Sequence, residues 1–159
     1  MDNIKRHIVI ASHSTLAQGM ANALKFFEGD NLKLTVLSAY VDNKPIEGQI
    51  EEIFDQFDKE DEVIVLTDLL GGSVNKKFFP YINRPHTHLI TGMNLSLAMA
   101  ITMEPVDGYL MPEKIQSIVS DAQSQVKYVN ELANSADEDD EDEWLEKESC
   151  SVWGICTKF

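Results

Sequence analysis

Apolar residues along this chain fall into two alternating patterns. Short, nearly unbroken runs such as "HIVIA" (7–11) and "EVIVLTD" (62–68) read as strands buried on both faces. "LKLTVLSAYV" (32–41) is rich enough in β-branched and aromatic residues for another strand, and "HLIT" (88–91) for a fourth. Between these runs, apolar positions recur at helical spacing. Leu16, Met20, Leu24 and Phe27 form one such face, and Gly29 closes the helix. Ile46, Ile50, Ile53, Phe54 and Phe57 form a second, behind Pro45, a residue suited to a first helical turn. A short helix after "GGS" should stop at Pro80, and "NLSLAMAI" (94–101) predicts another. A bend at "MEPVDGY" precedes a last helix from near Pro112, its apolar face Ile115, Ile118, Val119, Ala122, Val126 and Val129.

Strands alternating with helices through short crossovers predict an α/β fold, a doubly wound, mostly parallel four-stranded sheet with helices on both faces. With strand order 2-1-3-4, the order reverses between strands 1 and 3. Ligands of such folds sit beyond the carboxyl ends of the strands at that reversal. The loops after strands 1 and 3 are therefore the place to look for chemistry.

Those two loops carry complementary groups. After strand 1 stands "ASHST" with His13; after strand 3 stands "TDLLGGSVN" with Asp68 and the turn Gly71–Gly72–Ser73. A carboxylate that accepts from one imidazole nitrogen fixes the tautomer and leaves a lone pair on the other. It also stabilises the positive charge the ring acquires when that second nitrogen is phosphorylated. The glycines permit unusual backbone conformations, Ser73 can cap the following helix, and a helix start preceded by glycines suits an anion. Ser12, Ser14 and Thr15 supply hydroxyls on the opposite lip. Together these features suggest phosphoryl capture on His13.

Charge narrows the class further. The formal net charge of −14 argues against nucleic acid or an anionic membrane as partner. Residues 137–148, "DEDDEDEWLEKE", hold nine acids against one lysine, which reads as a solvated tail. No apolar run is long enough to span a membrane and the first residues do not resemble a signal peptide, so a cytoplasmic domain is expected. Cys150 and Cys156 have neither zinc nor redox spacing. His86 and His88, near the start of strand 4, offer two metal ligands at most and at the wrong end of the sheet. No metal or cofactor is expected, since "GGS" lacks the lysine of a phosphate-binding P-loop.

"IVIASHSTLAQGM" followed by "VIVLTDLLGGSVN" resembles the mannose-family enzyme IIA domain of the bacterial phosphoenolpyruvate-dependent sugar phosphotransferase system. The resemblance covers residues 4 to about 130 and includes "GMNLSLAMA" (92–100), with Val74 where the family usually has proline. It implies a IIA domain over residues 1–134; the acidic tail over 135–159 lies outside the family pattern, and its last segment, "SVWGICTKF" (151–159), could be a short strand. It places the phosphorylatable histidine on His13 and its hydrogen-bonding aspartate on Asp68; the residues read above as suited to an anion, Ser14, Gly71, Gly72 and Ser73, are expected around the phosphoryl group. The implied function is a phosphocarrier charged by phospho-HPr and discharged to a IIB subunit, with the membrane IIC and IID subunits reached only indirectly. A homodimer is also implied. Two other readings stay open: the phosphoryl-donor subunit of a dihydroxyacetone kinase, which shares the "SHS" start, and a non-catalytic flavodoxin-like anion-binding or regulatory module.

Overall fold

The computed structural model describes residues 4–135. The acidic tail, the two cysteines and the candidate terminal strand lie outside the described residues. Four strands, β1 (Arg6–His13), β2 (Thr35–Ala39), β3 (Glu62–Thr67) and β4 (Thr87–Thr91), form one sheet in the order β2-β1-β3-β4. All three neighbouring pairs are parallel. The helices are α1 (Leu16–Glu28), α2 (Ile46–Phe54), α3 (Ser73–Phe78), α4 (Leu95–Thr102), α5 (Pro112–Ser124) and α6 (Val129–Ser135). This is the α/β fold expected, with the expected strand order.

Right-handed crossovers decide which helix covers which face. The step from β1 to β2 runs one way across the sheet, while β2 to β3 and β3 to β4 run the other way. Helix α1 must therefore lie on one face and α2 and α3 on the opposite face. The core divides accordingly. Ile8, Ile10, Ile64, Leu66 and Ile90 pack with Leu24, Leu97, Ile101, Ile115 and Ile118. Val9, Ala11, Leu37, Val63 and Val65 pack with Ile50, Phe54, Val74 and Phe78. Alternate residues of each strand thus feed alternate layers, and all six residues of β3 are buried.

Two apolar faces differ from expectation. On α1 the buried positions are Ala17, Ala21 and Leu24, while Leu16 and Phe27 are half exposed. Leu24 is common to both stripes and Met20 still packs against the core, but the buried face is turned toward Ala17 and Ala21 and away from Leu16 and Phe27. The last helix is also interrupted. Helix α5 ends at Ser124, and Val126 and Val129 are exposed. Ile118 and Ala122 are buried in the layer that contains α4, which has only eight residues, and Val126 and Val129 lie beyond the end of α5.

One smaller difference concerns a proline: Pro45 stands just before α2 rather than inside its first turn. As expected, the short helix ahead of Pro80 stops, α3 ending at Phe78, and Pro80 sits in a 3-10 turn, Phe79–Asn83, where its missing N–H is tolerated.

At the amino ends of the strands, the buried Arg6 guanidinium pairs with the buried Glu62 carboxylate. It also donates to the carbonyls of Glu104 (2.9 Å), Pro105 (3.0 Å) and Gly108 (3.1 Å). That strap holds the bend at 103–109 against the end of the sheet farthest from His13. It leaves the carboxyl ends of the strands open.

Candidate active site

Strand β1 overshoots β3. Its last pairing with β3 is Ala11 to Thr67, whereas on the β2 side pairing continues to His13 opposite Ala39. The His13 amide therefore has no strand carbonyl on its β3 side, and Asp68 supplies an acceptor instead. One oxygen, Asp68 Oδ2, accepts from the His13 backbone N–H at 2.8 Å and from ring Nδ1 at 2.7 Å. The other, Oδ1, accepts from the Leu69 N–H at 2.8 Å. Burial opposes the charge on Asp68, but the three hydrogen bonds outweigh it and hold the carboxyl below its ordinary range.

An ionised carboxylate only accepts, so Nδ1 carries the ring proton and Nε2 of the neutral ring presents a lone pair. That lone pair faces Ser73 Oγ at 2.9 Å. The Ser73 hydroxyl in turn accepts from the Tyr40 hydroxyl at 2.8 Å. The imidazole is about one-third exposed, whereas Asp68 is nearly buried. The ring is thus anchored on its inner side and open on its outer side.

The glycine turn is shaped for this approach. Gly71 has φ of 69°, a conformation costly for any side chain bearing a Cβ. A Cβ on Gly72 would lie 3.2 Å from His13 Cε1 and equally close to Leu69. Ser73 does not cap α3; Gly72 holds the cap position, and the serine hydroxyl is turned to His13 and Tyr40. Both glycine amides are committed inside the loop, Gly71 to Asn75 Oδ1 (3.1 Å) and Gly72 to the Leu69 carbonyl (3.1 Å). The glycines therefore contribute shape. The donors facing Nε2 begin with Ser73, at the first turn of α3, where helix amides lack intrahelical partners.

On the opposite lip, Ser12 is fully buried and its Oγ accepts from the Ala17 N–H at 2.6 Å, which anchors the start of α1. Ser14 is exposed beside His13, with φ of 52° and its amide bonded to the Ala39 carbonyl at 2.9 Å. His13, Asp68 and Ser73 are thus in direct contact, Gly72 leaves the space beside the ring that a Cβ would fill, and Gly71 and Ser14 flank them. Among the described residues, no group of three or more histidine, cysteine, aspartate or glutamate side chains is placed to hold a metal ion.

Two residues of the site escape the sequence reading. Tyr40 follows β2, whose carboxyl end lies on the same edge as those of β1 and β3; an aromatic there was a signal. Asn75 is buried beneath the loop. Besides accepting from Gly71, it donates to Thr67 Oγ1 at 3.0 Å, tying the turn to the end of β3. Asn75→Ala would leave the Gly71 N–H without its acceptor and Thr67 without its donor. The expected cost is about 1–3 kcal/mol of stability, read as a lower denaturation midpoint at unchanged m-value.

The family model for the PTS system fructose IIA component (EIIA-man) matches residues 7–119 of this chain. The chain belongs to the PTS IIA family. A crystal structure assigned as a phosphoenolpyruvate-dependent sugar phosphotransferase system permease from Klebsiella pneumoniae is similar, with 30% identity and a TM-score of 0.77. That similarity covers 84% of this chain and 97% of the other. The PTS IIA protein associated with the fucose utilization operon of Streptococcus pneumoniae shares 27% identity over 84% of this chain and 99% of its own, with a TM-score of 0.67. The mannose/sorbose-specific IIA subunit from Enterococcus faecalis shares the fold at a TM-score of 0.67, with 20% identity over 78% of this chain and 94% of its own. Within this PTS IIA chain, Val74 is fully buried in the layer with α2, and α3 starts at Ser73 without a proline. Among the described residues, no helix is long and apolar enough to cross a membrane.

Proposed function

We propose that this PTS IIA chain is a histidine phosphocarrier that accepts a phosphoryl group from phospho-HPr on His13 Nε2 and passes it to a IIB subunit. The observation that carries this reading is the alignment of Asp68, His13 and Ser73, which leaves one imidazole nitrogen proton-bearing and the other nucleophilic. In the forward step, the Nε2 lone pair forms a bond to phosphorus as the donor's N–P bond breaks. The departing electron pair returns to the donor nitrogen. His13 keeps its Nδ1 proton and becomes cationic, and the adjacent Asp68 carboxylate offsets that charge. Ser73 donors lie beside the phosphoryl oxygens. Exchange between two histidines loses little free energy, so the protein has chiefly to position the groups.

Exposed Leu16, Tyr40, Val41, Leu69 and Leu70 lie on the loops and helix start around the histidine. Such an apolar rim suits docking of partner proteins. We further propose that the chain works in the cytoplasm as a homodimer and reaches IIC and IID only through IIB. The test is incubation with phosphoenolpyruvate, enzyme I and HPr from the same source, scoring label on this chain. An acid-labile label near one per chain supports the carrier; absence of label overturns it.

A further inference from the structure

Tyr40 is unusual in three independent respects. It follows β2 with φ of 64°, a left-handed conformation that is costly for a side chain of this size. The residue is 56% exposed, so burial does not hold it in place. Yet the ring stands beside the imidazole, with centroids 5.7 Å apart and planes inclined by 31°, and its hydroxyl reaches Ser73 Oγ at 2.8 Å.

The donor count shows what the phenol does. Ser73 has a single hydroxyl proton. In the neutral ring with its proton on Nδ1 against Asp68, His13 Nε2 can only accept, so the serine proton points at Nε2. Ser73 Oγ must then be the acceptor in its contact with Tyr40. A phenol O–H on one side of the serine oxygen therefore directs the serine proton to the other side, onto the nucleophilic nitrogen.

We propose that Tyr40 is a positioning residue for phosphoryl transfer, holding the Ser73 hydroxyl on His13 Nε2 before the reaction and on a phosphoryl oxygen after it. The inference rests on the phosphocarrier reading and adds to it. When the Nε2 lone pair bonds to phosphorus and the donor nitrogen recovers the electron pair of the broken N–P bond, the Ser73 proton loses its acceptor. With Tyr40 still donating to Oγ, that proton can turn only toward the incoming phosphoryl oxygens. No proton changes owner in this step. The left-handed turn at Tyr40 is what brings the phenol over the lip of β2 to reach the serine.

The experiment compares the full chain with Tyr40→Phe, Ser73→Ala and the double variant. Transfer from phospho-HPr is followed by rapid quench, and the His13 ring nitrogens by nitrogen NMR in the unphosphorylated state. Tyr40→Phe keeps the ring and removes only the hydroxyl. It should slow transfer about 3- to 10-fold, the scale of one neutral hydrogen bond, and shift the Nε2 resonance. In the Ser73→Ala background the same change should have no further effect. Wild-type rate with an unchanged Nε2 resonance in Tyr40→Phe would overturn the proposal. Equal slowing in both backgrounds would also overturn it, because Tyr40 would then act by a route other than Ser73. If the wild type takes no label, the carrier reading fails by itself. The NMR comparison then still decides whether Tyr40 controls the hydrogen bond at Nε2.

Discussion

His13→Ala should abolish phosphoryl uptake from phospho-HPr while leaving the chain folded. The side chain is partly exposed at the end of a strand, and its removal opens no closed cavity in either core layer. Asp68 keeps two of its three donors, the backbone amides of residue 13 and Leu69. A stability change within about 1 kcal/mol is therefore expected. Loss of label at intact fold, with the denaturation midpoint as control, assigns the acceptor to His13. Label that survived would move the site to another histidine. The alternatives are poorly placed. His7 Nε2 is bonded to Asp61 at 2.8 Å and its ring stacks on Phe57 at 4.1 Å. His86 stacks on Tyr109 at 3.6 Å, and His88 Nε2 lies 3.7 Å from the buried Glu62. All three belong to the amino-terminal end of the sheet.

Asp68→Asn should be the next most damaging change, slowing transfer roughly a hundredfold, by analogy with the loss of an orienting partner behind a reactive imidazole. The amide preserves shape but removes the charge that offsets the phosphorylated ring. It can also donate to Nδ1, which would shift the ring proton to Nε2 and remove the nucleophilic lone pair. The pH dependence of stability gives a second readout. The native Asp68 carboxyl lies below its ordinary value, so its contribution is fully present above about pH 4. It is lost as pH falls through the lower native value. The stability gap between wild type and Asp68→Asn should therefore be widest near neutrality and close in acid. A constant gap across that range would assign the effect to packing instead of charge. Transfer at the wild-type rate in Asp68→Asn would remove the aspartate from the mechanism altogether.

The strands could be inferred locally because parallel strands buried on both faces leave an unmistakable apolar run, whereas their order, 2-1-3-4, was an assumption that the family resemblance supported and the structure shows. "EVIVLTD" is such a run, and β3 is buried along its whole length. Helix faces were less legible. Periodicity located α1 but selected Leu16 and Phe27 over Ala17 and Ala21, since spacing alone does not tell which of two adjacent stripes meets the sheet. The same limit extended the last helix to Val129, beyond the end of α5. Ser73 was legible as a site residue but not for the reason the sequence suggests: its hydroxyl turns to the histidine instead of capping α3.

What the sequence by itself determined is the alternation of elements, the placing of His13 and Asp68 after the first and third strands, and the two glycines between Asp68 and Ser73. These follow from periodicity and from local backbone preference, which act over a few residues. Only the tertiary structure decided that β1 overshoots β3, so that one Asp68 oxygen serves both the His13 amide and its ring. It also brought Tyr40 from β2 and Asn75 from α3 to opposite sides of the turn. Those contacts join residues 33 to 55 positions apart, or depend on which way a loop folds back. Register and packing set them, and neither is written in the spacing of any one segment.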